Sequence, residues 1–270
     1  MKPVDFAYER PTSLAAALDL LARDDCAVRV MAGAQSLGPM LNLRLAQPDL
    51  VVDITAIAEL TSVRREKQAL AVGACVTHAR LEDGAARDRT GEVLAAIAGG
   101  IAYRAVRNRG TIGGSLAHAD PSADWVVCAA ALGAELLLAS KAGQRTVAAA
   151  EFMVGPFETA LQPGEVLVEV RLPWLSERAR WGYCKFCRKA GEFAQASAAV
   201  LCDPARDVQR CVIGATSGCP VVIDDPQFMR EGGRSERVTE LLSATPLGDD
   251  PFAVRTHAVV LRRALERAGL

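Results

Sequence analysis

The sequence predicts a mixed α+β chain built as two domains. A length of 270 residues suffices for two units that each bury a core of their own. Segments with helical apolar spacing alternate along the chain with short strand-like runs. Charge and a proline then interrupt the apolar pattern between Pro173 and Arg180, which divides residues 1–176 from 177–270.

Taken in order, Thr12 or Ser13 caps a helix over residues 12–23, where Leu14, Leu18 and Leu21 recur at helical spacing. Val28 to Met31 is a strand that runs directly into Ala32-Gly33-Ala34-Gln35-Ser36-Leu37, and Leu50 to Ile54 is another, preceded by Pro48. These make a small unit ending at about residue 56, and residues 57–176 complete the first domain. Leu70 and Val72 alternate with Ala69, Ala71 and Gly73 in a strand, after which Thr77 caps a helix. Residues 91–105 are helical in composition and residues 122–132 read as a buried helix. Ala134 to Leu138 and Val166 to Leu172 read as strands. Beyond the boundary, Trp181 to Arg188, Ser197 to Cys202 and Gln209 to Ala215 are strands. A polar stretch from Gly232 to Pro251 precedes an amphipathic helix over Ala253 to Ala268, which Gly269 ends.

Composition removes several classes of function. Half the residues are hydrophobic, 23% are charged and the net charge is −1, so nothing attracts nucleic acid or an anionic membrane surface. The first residues carry acidic side chains and lack the apolar stretch of a secretory signal, and no apolar run is long enough to span a bilayer. A cytoplasmic protein is therefore expected. The 8 cysteines are too few and too scattered for a disulfide scaffold, and Cys184-x-x-Cys187 lacks the second pair of a zinc or iron–sulfur site. His78, His118 and His257 show no ligand spacing. No Ser–His–Asp, Cys–His or paired-carboxylate pattern marks substrate chemistry.

Two glycine-bearing segments remain, at 32–36 and 111–115. Each follows an apolar run and joins glycine to hydroxyl or amide side chains. A pyrophosphate needs several backbone N–H groups at close range, which glycine permits because it has no Cβ. Ser36, Thr111 and Ser115 can add hydroxyl donors. Neither segment fits GxGxxG or GxxxxGK[ST], so a Rossmann site and a P-loop are both disfavoured. On residues alone these are two phosphate-binding loops or two ordinary turns.

The wording of the two segments goes further. Ala32-Gly33-Ala34-Gln35-Ser36-Leu37, with Asn42-Leu43-Arg44-Leu45-Ala46-Gln47-Pro48 and Asp53-Ile54, resembles the first FAD-binding segment of the molybdenum hydroxylase flavoproteins. Arg107-Asn108-Arg109-Gly110-Thr111-Ile112-Gly113-Gly114-Ser115, continued through Leu116-Ala117-His118-Ala119-Asp120-Pro121-Ser122-Ala123-Asp124, resembles the second. The similarity continues through Cys187-Arg188-Lys189-Ala190-Gly191-Glu192-Phe193-Ala194 into the last helix, and its nearest type is the medium subunit of the carbon monoxide dehydrogenase kind.

That resemblance implies a bipartite FAD-binding domain of the vanillyl-alcohol-oxidase type followed by an α+β C-terminal domain. Residues 32–36 and 111–115 would wrap the FAD diphosphate and ribityl chain through backbone N–H groups. Asp124 would contact FAD, and Leu167 and Lys185 would lie against the flavin. Each has a plainer reading: Asp124 as a helix cap, Leu167 as a core strand residue and Lys185 as a solvated lysine. Arg107 and Arg109 pair with phosphate or a partner chain, or are ordinary surface guanidiniums. The implied partners are a small subunit with two-iron two-sulfur clusters and a large subunit with a molybdopterin-type molybdenum cofactor, assembled as a dimer of heterotrimers. The chain would then be an electron-transfer flavin subunit, with a self-sufficient flavin oxidoreductase and a flavin-free scaffold as alternatives. Two departures stand out: Ala34 occupies a usual glycine position, and the polar stretch from Gly232 shortens the C-terminal domain.

Overall fold

The computed structural model describes residues 2–230, 235–243, 245 and 247–270. The chain opens with β1 (Ala7–Glu9), α1 (Leu14–Leu21), β2 (Val28–Met31), α2 (Leu37–Asn42) and β3 (Leu50–Asp53). Ser13 caps α1 by accepting from the Ala16 N–H at 3.2 Å. The three strands form a parallel sheet in the order β1-β3-β2, and the central β3 is buried throughout.

The next stretch runs β4 (Val63–Arg65), β5 (Ala69–Gly73), α3 (His78–Glu82), α4 (Arg89–Gly99), α5 (Arg104–Arg107), α6 (Ile112–His118) and α7 (Asp124–Leu132). It continues through β6 (Glu135–Ser140), β7 (Gly143–Ala148), α8 (Ala149–Phe152), β8 (Met153–Gly155), β9 (Glu158–Thr159) and β10 (Val166–Pro173). Five of these strands form one sheet in the order β4-β5-β10-β6-β7, with β10 antiparallel to both its neighbours. The helical composition over 91–105 resolves into two helices, because Gly99-Gly100 ends α4 and Ala102 turns the chain at φ +43°.

Then come β11 (Arg180–Phe186), β12 (Ala196–Asp203), β13 (Val208–Gly214), β14 (Val221–Ile223), α9 (Pro226–Arg230), α10 (Ser235–Ser243) and α11 (Pro251–Arg267). The four strands pair antiparallel in sequence order. Part of the polar stretch from Gly232 to Pro251 lies outside the described residues; within it, α10 buries Val238 and Leu242.

Helix α7 decides how the sheets meet. All nine of its residues are buried, which accounts for an apolar run with no solvent-facing stripe. Trp125, Val127, Leu136, Leu167 and Val170 share one apolar cluster with Ala199, Leu201 and Val212 of the four-stranded sheet. The core is thus continuous from β10 across α7 to β12 and β13. No helix among the described residues is long and apolar enough to cross a membrane.

Candidate functional site

The first loop leaves the end of β2 and turns at Ala34, whose φ is +59°. Around that left-handed residue the backbone N–H groups of Gly33, Ala34, Gln35, Ser36 and Leu37 donate to no acceptor among the described residues. Gln35 instead reinforces the turn, its Nε2 donating to the Gly33 carbonyl at 3.1 Å. Ser36 precedes α2 without capping it through its side chain. A short run of unpaired N–H groups about a left-handed residue is a concave anion receptor.

The second segment is built differently from the expectation. Thr111 caps α6, its Oγ1 accepting from the Gly114 N–H at 3.0 Å, so Gly113 and Gly114 lie in a first helical turn rather than in an open loop. The Ile112 N–H donates to Val76 O at 3.1 Å, that of Gly113 to Ala74 O at 2.9 Å and that of Ser115 to Thr111 O at 3.0 Å. The N–H groups of residues 112–115 are therefore engaged within the fold. The Ser115 hydroxyl has no partner among the described residues and is a donor this segment offers.

The glycines explain why the segments meet. A Cβ on Gly33 would stand 1.9 Å from the Arg109 carbonyl oxygen, and one on Gly114 would lie 3.6 Å from the Ala32 Cβ. A Cβ on Gly113 would fall 2.4 Å from that of Ala74, so this glycine seats α6 on the end of β5. His78 supports the turn from below: its N–H donates to Gly110 O at 2.9 Å, and its Nδ1 accepts from Trp125 Nε1 at 3.2 Å. Burial first, and the Arg107 charge second, push the His78 imidazole down to about 4. Arg107 is a structural tie, donating to both carboxylate oxygens of Glu82 at 2.8 and 2.9 Å and to the carbonyls of Ile101 and Ala102. Arg109 is exposed.

Asp124 and Lys185 come together. Asp124 opens the first turn of α7 and is 6% exposed, and its Oδ1 accepts from Lys185 Nζ at 2.8 Å and from the Tyr183 hydroxyl at 2.8 Å. Lys185 Nζ also donates to Gly100 O at 2.9 Å. Lys185 is thus a partly buried, paired lysine rather than a solvated one, and Asp124 is held by the four-stranded sheet rather than serving as a cap; the cap is Ala123, with no side-chain bond. Burial, followed by the Asp124 charge, holds the Tyr183 phenol well above its usual range, so it remains a donor. Leu167 is buried in β10, in the same apolar cluster as Ile112 and Trp125.

Residue types alone pointed neither to Tyr183 nor to His78. Spacing alone links Tyr183 to the site, since residues two apart in a strand share a face and Tyr183 lies two before Lys185. A cleft of about 540 Å³ is lined by Pro121, Pro156, Phe157, Gln195, Ala215 and Ser217, among others. Among the described residues no group of three or more His, Cys, Asp or Glu is placed to hold a metal ion.

Comparison with known proteins supplies a family. Residues 4–175 match the FAD binding domain in molybdopterin dehydrogenase. The chain is 36% identical over 262 residues to the caffeine dehydrogenase subunit beta of Pseudomonas sp. (strain CBB1), covering 95% of this chain and 85% of that one. It is 36% identical over 236 residues to the carbon monoxide dehydrogenase medium chain of Hydrogenophaga pseudoflava, covering 87% and 80%. Its fold matches a chain of quinoline 2-oxidoreductase from Pseudomonas putida 86 with a TM-score of 0.83 at 32% identity, over 99% of this chain and 98% of the other.

Proposed function

The chain belongs to the family of FAD-binding domains of molybdopterin dehydrogenases, and we propose that it is the flavin-carrying medium subunit of a molybdenum hydroxylase. It takes electrons from an iron–sulfur subunit and delivers them to an external acceptor, while a molybdenum subunit oxidises the substrate. FAD, when bound, supplies the two-electron chemistry; the chain's own residues bind it, orient it and set its surroundings.

The observation that carries this reading is the first loop. Five adjacent N–H groups without acceptors among the described residues, closed against Arg109 by a glycine, form a donor set suited to a diphosphate. In our reading Ala32, Gly33, Ala34, Gln35, Ser36 and Leu37 hold the diphosphate. Thr111, Ile112, Gly113, Gly114 and Ser115 shape its other wall, mainly through the Ser115 hydroxyl. Asp124 and Lys185 form an ion pair near the flavin end, and Leu167 supports that end from the core. Residues 1–176 make up the FAD domain and 177–270 the C-terminal domain. The working assembly is a dimer of heterotrimers in the cytoplasm, with two-iron two-sulfur clusters and the molybdenum cofactor in the partner chains.

The test is to purify the chain with its two partners and to record the visible spectrum before and after acid release of cofactor. FAD near one per chain, together with iron–sulfur absorbance, is the expected result. Folded chain that takes up no flavin from excess FAD would overturn the reading and favour a scaffold subunit.

A further inference from the structure

Strand β11 places Tyr183 and Lys185 on one face, toward the start of α7. Both donate to the same oxygen, Asp124 Oδ1, at 2.8 Å each. Asp124 Oδ2 accepts from no donor among the described residues, although the residue is only 6% exposed. Oδ2 itself keeps some open surface. Here one is clamped twice and the other is left available.

We infer that Tyr183 is a positioning residue of the flavin site, whose hydroxyl fixes Asp124 so that Oδ2 faces a hydroxyl-bearing part of bound FAD. This rests on the flavin-subunit reading above. The polarity selects the class of group. An anionic oxygen repels a phosphate and accepts well from a sugar-alcohol hydroxyl, so the ribityl chain fits and the diphosphate does not. Lys185 balances the charge of Asp124 but cannot alone fix the rotation of the carboxyl group. A second donor from a rigid strand, carried on a ring with few rotatable bonds, does so. The phenol keeps its proton through the working pH range, so the clamp does not switch.

The experiment uses the purified complex with its partners, stripped of flavin and titrated with FAD. The proteins compared are wild type, Tyr183→Phe, Asp124→Asn and the double variant. Tyr183→Phe keeps the ring and removes one oxygen, and is expected to weaken FAD binding about tenfold, the scale of one lost hydrogen bond to a charged group. The double variant should bind FAD no more weakly than Asp124→Asn alone, since the hydroxyl acts only through that carboxylate. The visible circular dichroism of the bound flavin should change in Tyr183→Phe, a signature that a purely structural tyrosine would leave alone. Additive losses in the double variant would overturn the proposal. So would an unchanged dissociation constant with unchanged dichroism, or an affinity loss matched by equal destabilisation of the flavin-free complex with normal dichroism. If wild type itself takes up no FAD, the flavin-subunit reading has failed instead.

Discussion

Replacing Ala34 by glycine should stabilise the protein, and the size of the gain follows from the backbone. Ala34 sits at φ +59°, in the left-handed region. An L-residue pays about 1–2 kcal/mol there for the crowding of its Cβ against the following carbonyl. Glycine pays no such strain but gives up more chain freedom on folding, about 0.4–1 kcal/mol. The difference leaves a net gain of about 0.5–1 kcal/mol for Ala34→Gly. For a chain of this size that corresponds to about 1–4 °C in melting temperature. The strain is already present in the ligand-free fold, and a ligand can shift an equilibrium only through differential affinity. Affinity for FAD should therefore change by less than about twofold. Urea midpoints and thermal melts of the flavin-free protein, followed by FAD titration, test both halves. Ala34→Val should move stability the opposite way, because a β-branched side chain tolerates the left-handed region worse. A lower midpoint for Ala34→Gly, or a gain that appears only with FAD bound, would refute the reasoning.

Three further outcomes are expected. Gly33→Ala should separate the two segments, because the new Cβ would stand 1.9 Å from the Arg109 carbonyl oxygen and only backbone could yield; we expect a cost of about 2 kcal/mol or more and loss of bound FAD, read from the flavin absorbance per chain. His78, held at about 4 against an ordinary 6.5, folds as the neutral imidazole. Its stability contribution is therefore full above pH 6.5 and is lost as pH falls toward 4, by up to about 3 kcal/mol. Urea midpoints across that range should fall more steeply in wild type than in His78→Gln, and parallel curves would remove His78 as the cause. Ser197→Ala should be neutral or stabilising by up to about 1 kcal/mol, since the buried Ser197 hydroxyl has no partner among the described residues. A loss of more than about 1 kcal/mol on denaturation would show that the hydroxyl is satisfied after all.

Much of this fold is legible in the sequence wherever one residue pattern serves one local purpose. The capped α1, the strands at Val28 and Leu50, the fully buried α7 and the closing α11 fall where period and caps place them. Strand β7 is not legible, because its residues are mostly exposed and mixed in character, and β8 and β9 are too short to carry a period. Sheet order is also hidden: β10 lies between β5 and β6, a pairing that only the shared core around Val170 and Leu136 dictates. At the candidate site, glycine content marks both segments and gives them the same role, whereas the structure builds them differently. Thr111 is a good cap residue, and reading it as one places Gly113 and Gly114 inside a helix, with their N–H groups engaged. That the segments touch could not be read, since it depends on Gly33 meeting a carbonyl 76 positions away.

The charges of the site follow one electrostatic logic. The loop assigned to the diphosphate offers neutral N–H donors, which attract an anion without themselves needing a counter-ion. The nearby cation Arg107 is committed to Glu82, so it does not compete for that anion. The acid of the site, Asp124, is matched by Lys185, so a cofactor that arrives with two negative phosphates meets no net negative wall. That match is made across the chain. Lys185 and Tyr183 belong to the four-stranded sheet, while Asp124 opens α7 and Gly100 follows the end of α4. The C-terminal sheet therefore does more than cover α7: it supplies the donors that make a buried carboxylate tolerable. Without them Asp124 would be an unpaired charge in a nearly dry position, costing about 3–5 kcal/mol. With Asp124 at the flavin site, as we propose, that site and the C-terminal sheet are coupled through one carboxylate oxygen, and the sharpest probe of that coupling is the single hydroxyl of Tyr183.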